Sequence, residues 1–390
     1  MKQTKLFLIL LYHSLILGSN SFSQITLDEF ISKIQSTPDS INKSEIVTEF
    51  LVKNLFPITE GNKIHFVFRG QGKVVAAPGE LNGWNPELSL LSRIKGTDFF
   101  YRTDTLSIRG RAEYKIWVDS VWILDPLNPR KAKGGFGDNS DVWMRNYTPS
   151  KTADYNPDIA HGSNDTVWFE SKILNRKHPV YIYRPFTMRY KNLPAVYVND
   201  GGDYLSFAKM NNVLDNLIYE GKIKPVVGVF IDPRTDPKDS QTNKRMTDYS
   251  ASQDYIKFLS DELIPFIDEK YFTSQNSKDR LIMGASLGGL ISTFASYQRP
   301  DVFANSAAQS PAYLQANFEV IRMLTEGEYQ DINAYIDTGI LYDTKTESRI
   351  VKALLLEKGI KLKYFEFPEG HNWTNWQSRL DDILIYFYGR

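Results

Sequence analysis

Cysteine is absent from this chain, histidine occurs five times in 390 residues, and neither sign of charge prevails, with 46 basic against 46 acidic side chains. Without cysteine there are no disulfides, so the cores must hold by packing alone. A formal net charge of zero and the lack of any Lys/Arg-rich run give no reason to expect a nucleic-acid partner. Beyond residue 17 no apolar stretch approaches the ~20 residues needed to span a bilayer. The scarce histidines show no ligand spacing and no glycine-rich phosphate loop occurs, so neither a metal nor an organic cofactor is implied.

What is present divides the chain by period. Lys2 and Lys5 precede the apolar run Leu6–Leu17, and Gly18, Ser19, Ser21 and Ser23 follow it. That is the layout of a secretory signal peptide, expected over 1–23. It predicts a periplasmic or secreted protein with no stable membrane insertion after cleavage. Residues 24–59 form a helical segment, with Phe30, Ile31 and Ile34 and then Ile46, Phe50 and Leu51 at helical spacings around Pro38. Over 60–148 the runs Lys63–Phe68, Val74–Ala77, Phe99–Thr103, Glu113–Val118 and Trp122–Leu124 are strand-like and punctuated by glycines, which predicts an all-β sandwich. The glycine-rich Gly134–Ser140 followed by Pro149–Asn164 reads as a linker or a surface-hugging crossover, with the linker proper placed at 149–166. From 167 to 390 apolar strands alternate with helical patterns, the signature of an α/β domain with a mostly parallel sheet. Its predicted strands are Val180–Tyr183, Ala195–Val198, Val226–Ile231, Arg280–Met283, Ala334–Ile336 and Leu362–Phe367.

Gly284-Ala285-Ser286-Leu287-Gly288 is a G-x-S-x-G element. The bare match is weak, but Leu281-Ile282-Met283 before it is strand-like and Leu287–Gln298 after it is helical. Strand, sharp turn and helix make a nucleophile elbow, which lifts a serine hydroxyl above the sheet. The Leu287 amide, at the helix start, then faces a developing oxyanion. A nucleophile of this kind needs a base. His371 follows the last predicted strand directly, where an α/β-hydrolase requires one. His65 lies in a sandwich strand, His161 in the linker and His178 ahead of the first predicted strand of the second domain. The acid belongs between serine and histidine in chain order. Asp343, in the loop beyond Ala334–Ile336, is preferred, with Asp337 and Glu347 as alternatives. A second oxyanion amide is expected from Gly201, Gly202 or Asp203, in the loop after Val196-Tyr197-Val198.

Longer stretches carry a resemblance. Tyr197-Val-Asn-Asp-Gly201, Leu217–Pro225, Asp261-Glu-Leu-Ile-Pro265, Arg280–Gly289, Gln309-Ser-Pro311 and Glu369–Trp373 with Trp376 resemble the enterochelin esterase-like group, itself similar to feruloyl and acetylxylan esterases. Arg245-Met-Thr-Asp248-Tyr249 is similar to an Arg–acid–Tyr segment of that group's active-site loop, with Asp248 where Glu is usual. Gly79–Trp84, Tyr114–Trp117 and Trp122–Pro129 resemble the early-set, immunoglobulin-like module that often precedes such esterases. The resemblance implies an α/β-hydrolase with Ser286, Asp343 and His371 as its triad. It places Asp203, Arg245, Tyr249, Gln309, Trp373 and Trp376 on the substrate side. The implied activity is hydrolysis of a small-molecule or polysaccharide-linked carboxylic ester, feruloyl or acetyl, with a siderophore trilactone as the alternative substrate. Acyl transfer and a non-catalytic carbohydrate-binding role are the competing classes. Pro126, Pro129 and Pro149, with Trp143, Tyr147 and Tyr155, predict a module that packs near the rim of the Ser286 pocket instead of swinging on a tether. The sequence does not decide oligomeric state.

Overall fold

The computed structural model of the protein describes residues 25–38, 41–186 and 191–390, and the expected signal peptide lies outside them. Near-continuous apolar runs joined by helices must be covered on both faces. Residues 163–367 meet this demand with one eight-stranded sheet: β1 (Ser163–Ser171), β2 (Arg176–Arg184), β3 (Ala195–Asn199), β4 (Val227–Ile231), β5 (Arg280–Ala285), β6 (Asn305–Gln309), β7 (Asn333–Gly339) and β8 (Lys361–Phe367). Their spatial order is β1-β2-β4-β3-β5-β6-β7-β8. The β1–β2 and β2–β4 pairs are antiparallel and the five remaining neighbouring pairs are parallel. Alternate residues feed the two cores: Tyr197 and Ile282 face one apolar cluster, Val196, Val198, Leu281 and Met283 the other.

Two of these strands depart from the sequence reading. β1 begins within the stretch expected to be linker, so His178 falls inside the second strand, fully buried, instead of ahead of the first. Burial, helped by Arg176, pushes its imidazole down to about 4, so it stays neutral. β6, Asn-Ser-Ala-Ala-Gln, carries no strand-like pattern, yet all five residues are buried. Small side chains are needed there because the helix Leu287–Gln298 crosses closely: a Cβ on Gly289 would sit 3.3 Å from Ala308 Cβ.

The N-terminal part is an all-antiparallel β-sandwich. Strands Ile58–Glu60, Lys63–Arg69, Phe99–Thr105 and Ser92–Arg93 form one sheet, and two three-stranded sheets, containing Arg111–Tyr114 and Ile116–Val118, complete it. Asn139–Trp143, overlapping the stretch read as a linker or crossover, pairs with Arg111–Tyr114. Phe66, Phe100, Tyr114 and Val142 share its core. Helices Leu27–Ser36 and Lys43–Lys53 cover the larger sheet through a second cluster in which Phe30 stacks on Phe50 at 3.9 Å. No helix among the described residues is long and apolar enough to cross a membrane.

Candidate active site

Ser286 occupies the turn between β5 and the helix Leu287–Gln298, with φ 57° and ψ −119°. L-residues rarely adopt such angles, and the surroundings must enforce them. The Ser286 amide donates to Gln309 O at 2.9 Å, and its carbonyl accepts from the amides of Gly289, Leu290 and Ala312, each at 3.1 Å. A Cβ on Gly284 would lie 2.6 Å from the Gly288 carbonyl carbon, so the motif glycines let strand and helix close up. Leu287 is the first residue of the helix, where an amide has no partner within the helix.

His371 follows β8, and its Nδ1 lies 2.7 Å from Asp343 Oδ1. The Asp343 carboxylate is wholly enclosed. It also accepts from Ser310 Oγ at 2.6 Å and from the Gly339 and Thr344 amides, each at 2.7 Å. Burial alone would push this carboxyl up, but the hydrogen bond and charge of His371, with Ser310 and Thr344, hold it below the usual range. Of the two alternatives, Asp337 is fully buried at the end of β7, with Oδ2 3.4 Å from Gln309 Nε2 and Oδ1 unpartnered. Burial outweighs the pull of Arg379 and pushes its carboxyl up to about 8. Glu347 stands half-buried on the helix Lys345–Glu357.

The loop after β3 turns at Asp200, which is left-handed at φ 56°. Gly201 is pressed on β4, where a Cβ would lie 2.3 Å from the Phe230 carbonyl carbon. Gly202 faces the same cavity as Ser286. The Asp203 amide is already donated to Asp200 O at 2.9 Å, which leaves Gly201 and Gly202 as the candidate donors in this loop. Arg245 grips both sides of the site: its Nε reaches both Asp200 oxygens at 2.9 Å and its Nη2 donates to Ala285 O at 3.0 Å. Burial pushes the Asp200 carboxyl up to about 6 despite this pairing.

Ser286, His371, Gly202, Asp203, Arg245, Trp373 and Trp376 all line one cavity of about 730 Å³. Tyr249 and Gln309, expected on the substrate side, do not line it. Tyr249 is buried behind the loop, its hydroxyl accepting from the Asp200 amide at 2.9 Å. Gln309 is sealed beneath the floor, donating to Trp376 O at 2.9 Å and accepting from Tyr204 Oη at 2.9 Å. Both act as struts. Sequence reasoning missed several lining residues. Arg234 pairs with Asp203 and Asp232 on one wall. Phe207 packs on Trp373 with ring centroids 5.5 Å apart. Lys133–Gly137 and Asn139 reach in from the sandwich, with Phe136 fully exposed at the tip. The glycines at 134, 135 and 137 were the available signal for that loop.

Comparison with known proteins then decides the family. The model of the Esterase family, described as "Putative esterase", matches residues 171–387. The chain belongs to the Esterase family. This esterase is 28% identical over 227 residues to the Bacillus subtilis protein YjcH, a match covering 55% of this chain and 93% of that one. It is 28% identical over 169 residues to an endo-1,4-beta-xylanase/feruloyl esterase of Xylanibacter ruminicola, covering 40% of this chain and 23% of that protein. The ferric enterobactin esterase of Salmonella typhimurium superposes with a TM-score of 0.71 at 18% identity, over 86% of this chain and 95% of that one. At that identity the likeness is one of fold, and it extends across the sandwich as well as the sheet. The esterase is a carboxylic ester hydrolase with the fold expected from its sequence.

Proposed function

We propose that Ser286 is the nucleophile, His371 the general base and Asp343 the acid that orients it, with the amides of Leu287 and of Gly201 or Gly202 holding the oxyanion. His371 Nε2 takes the Ser286 proton as Oγ attacks the ester carbonyl, and Asp343 keeps the other ring nitrogen protonated and steadies the imidazolium. The alcohol leaves with the proton from His371. Water, deprotonated by His371, then releases the acid from the acyl-enzyme. What carries the reading is that the strained Ser286 and the Asp343-bound His371 share one cavity wall.

The substrate class we infer is an aromatic acyl ester of a neutral, hydroxyl-rich alcohol, as in a feruloyl-sugar ester. The cavity offers flat apolar surface at Trp373, Phe207 and Phe136 beside polar groups at Asn139, Ser206 and Asn243. Both wall arginines are paired with aspartates. With Lys133 added to the two arginines against Glu113, Asp200, Asp203 and Asp232 in the lining, little net positive charge faces a multiply charged ferric siderophore. A siderophore trilactone is the second reading, favoured by the two-domain likeness to the Salmonella enzyme. Export through the expected signal at 1–23 would place the reaction in the periplasm or outside the cell. Purified protein assayed on methyl ferulate, p-nitrophenyl acetate and a catecholate trilactone discriminates among these. The ferulate should give the highest kcat/KM, and Trp373→Ala should raise its KM about tenfold with little effect on the acetate. A preference for acetate unaffected by Trp373→Ala would overturn the aromatic assignment, and a preference for the trilactone would establish the second reading.

A further inference from the structure

A group of charged side chains that the mechanism above leaves unused lies sealed between the sandwich and the loop bearing His371. Arg111 is completely buried, with Nη2 2.8 Å from Glu113 Oε1 and Nε 2.8 Å from Asp141 Oδ1. Its Nη1 donates to Asn372 Oδ1 at 2.9 Å, and its backbone amide donates to Pro368 O at 3.1 Å. Glu80, 4% exposed, accepts from Asn372 Nδ2 at 2.7 Å through one oxygen and from the Glu113 amide at 2.9 Å through the other. The same carboxylate lies flat on Gly370, where a Cβ would come within 2.5 Å of Glu80 Oε1. Both the oxygen and the nitrogen of the side-chain amide of Asn372, the residue after His371, are thus held by the sandwich, and glycine before His371 leaves room for Glu80. On the hydrolase side, Glu369 accepts from Arg379 Nη2 at 2.6 Å.

The loop carrying Asp343 leans on the same module. Leu341 packs against the sandwich core, and Gly83 is pressed on the Tyr342 ring. The Leu341 amide donates to Glu369 O at 3.1 Å, tying the two loops together.

Burying this many charges is expensive, and an apolar seam of the same shape would hold two domains together at least as well. What a hydrogen-bonded network adds is direction: the Pro368 carbonyl and both polar atoms of the Asn372 side chain are satisfied by the sandwich in one position only. An error of about 1 Å in a catalytic group can cost roughly 10²-fold in rate, so such a fixed position has a kinetic consequence. Burial and the charge of Glu113 push the Glu80 carboxyl well up, and the pull of Arg111, the Glu113 amide and Asn372 offsets this only in part.

We propose that Glu80 and Arg111 of the sandwich are positioning residues for hydrolysis, fixing His371 through Asn372 and Gly370, so that the catalytic centre is completed across the domain boundary. This deepens the triad reading and rests on it.

The test is steady-state kinetics of the full chain on p-nitrophenyl acetate. Glu80→Ala should lower kcat about 10- to 100-fold with KM within about twofold, because the substrate wall is untouched. Glu80→Gln keeps the shape and the acceptor for Asn372, and should recover most of that loss. Asn372→Ala removes the other half of the contact and should cause a similar fall. The Glu80→Ala/Asn372→Ala double variant should be no worse than the poorer single, as expected for residues acting through one another. Asp125→Asn serves as the stability control, since it weakens the buried 2.5 Å bond to Tyr114 within the sandwich without touching the seam. It should lower the melting temperature and leave kcat unchanged. A folded Glu80→Ala with wild-type kcat, multiplicative losses in the double variant, or an equal kcat loss in Asp125→Asn would each overturn the proposal. Should Glu80→Ala fail to fold, Glu80→Gln and Asn372→Ala still decide it: wild-type kcat in Asn372→Ala contradicts the positioning role. Full activity in Ser286→Ala is the separate result that would remove the triad reading itself.

Discussion

Ser286→Ala is expected to reduce hydrolysis of an activated aryl ester by roughly three orders of magnitude or more while leaving the protein folded. The size follows from losing the covalent route, which leaves only the oxyanion amides and binding to act on direct attack by water. That the fold should survive follows from the packing. The turn is held by backbone bonds from Ser286 to Gln309, Gly289, Leu290 and Ala312, and none of these uses the hydroxyl. Alanine at φ 57° is as strained as serine, so the substitution adds no new strain. Steady-state rates with a melting curve on the same preparation check both halves. Near wild-type turnover in folded protein would contradict the nucleophile assignment.

The second large effect separates two aspartates on one strand-and-loop segment. Asp343→Asn should lower kcat by about 10⁴-fold, because the amide would turn the imidazole to the wrong tautomer. It would also disturb the Ser310 and Gly339 bonds that converge on Oδ2. Asp337→Asn should stay within about threefold of wild type. With its carboxyl pushed up to about 8 by burial, Asp337 is protonated in the folded protein at pH 7, and asparagine imitates that neutral form. The sign for stability follows. An acid whose folded value is raised is proton-bound when folded and ionised when unfolded between about pH 4 and 8, so it costs stability as pH rises through that window. Asp337→Asn should therefore melt higher than wild type near pH 8 and show no such gain near pH 4. Kinetics on both variants with melts at the two pH values test this. The reverse order of kcat losses would move the acid role to Asp337.

Local pattern made much of this legible. The β5–serine–helix passage, the buried parallel strands and a histidine just past the last strand are encoded within a few residues of each other, and period plus glycine placement reveals them. β6 was not legible because close packing by the crossing helix leaves Asn, Ser, Ala, Ala and Gln where β-branched residues would signal a strand. β1 was hidden by lying at the sheet edge, where half its side chains face solvent. Tyr249 and Gln309 lie next to the cavity but one layer behind its lining, since a motif names a segment and not the direction in which each side chain points. Glu80 and Arg111 were beyond sequence reasoning altogether. Their partners lie 292 and 261 residues away, and no spacing rule connects positions so distant.

The most direct measurement of the central claim is covalent labelling with an aryl phosphonate, followed by mass spectrometry of the digested protein. Inactivation should track stoichiometric modification of the peptide containing Ser286, methyl ferulate should protect against it, and His371→Ala should slow it by orders of magnitude. Loss of activity with the adduct on any other residue, or full activity in protein modified at Ser286, would contradict the assignment of Ser286 and His371 as nucleophile and base.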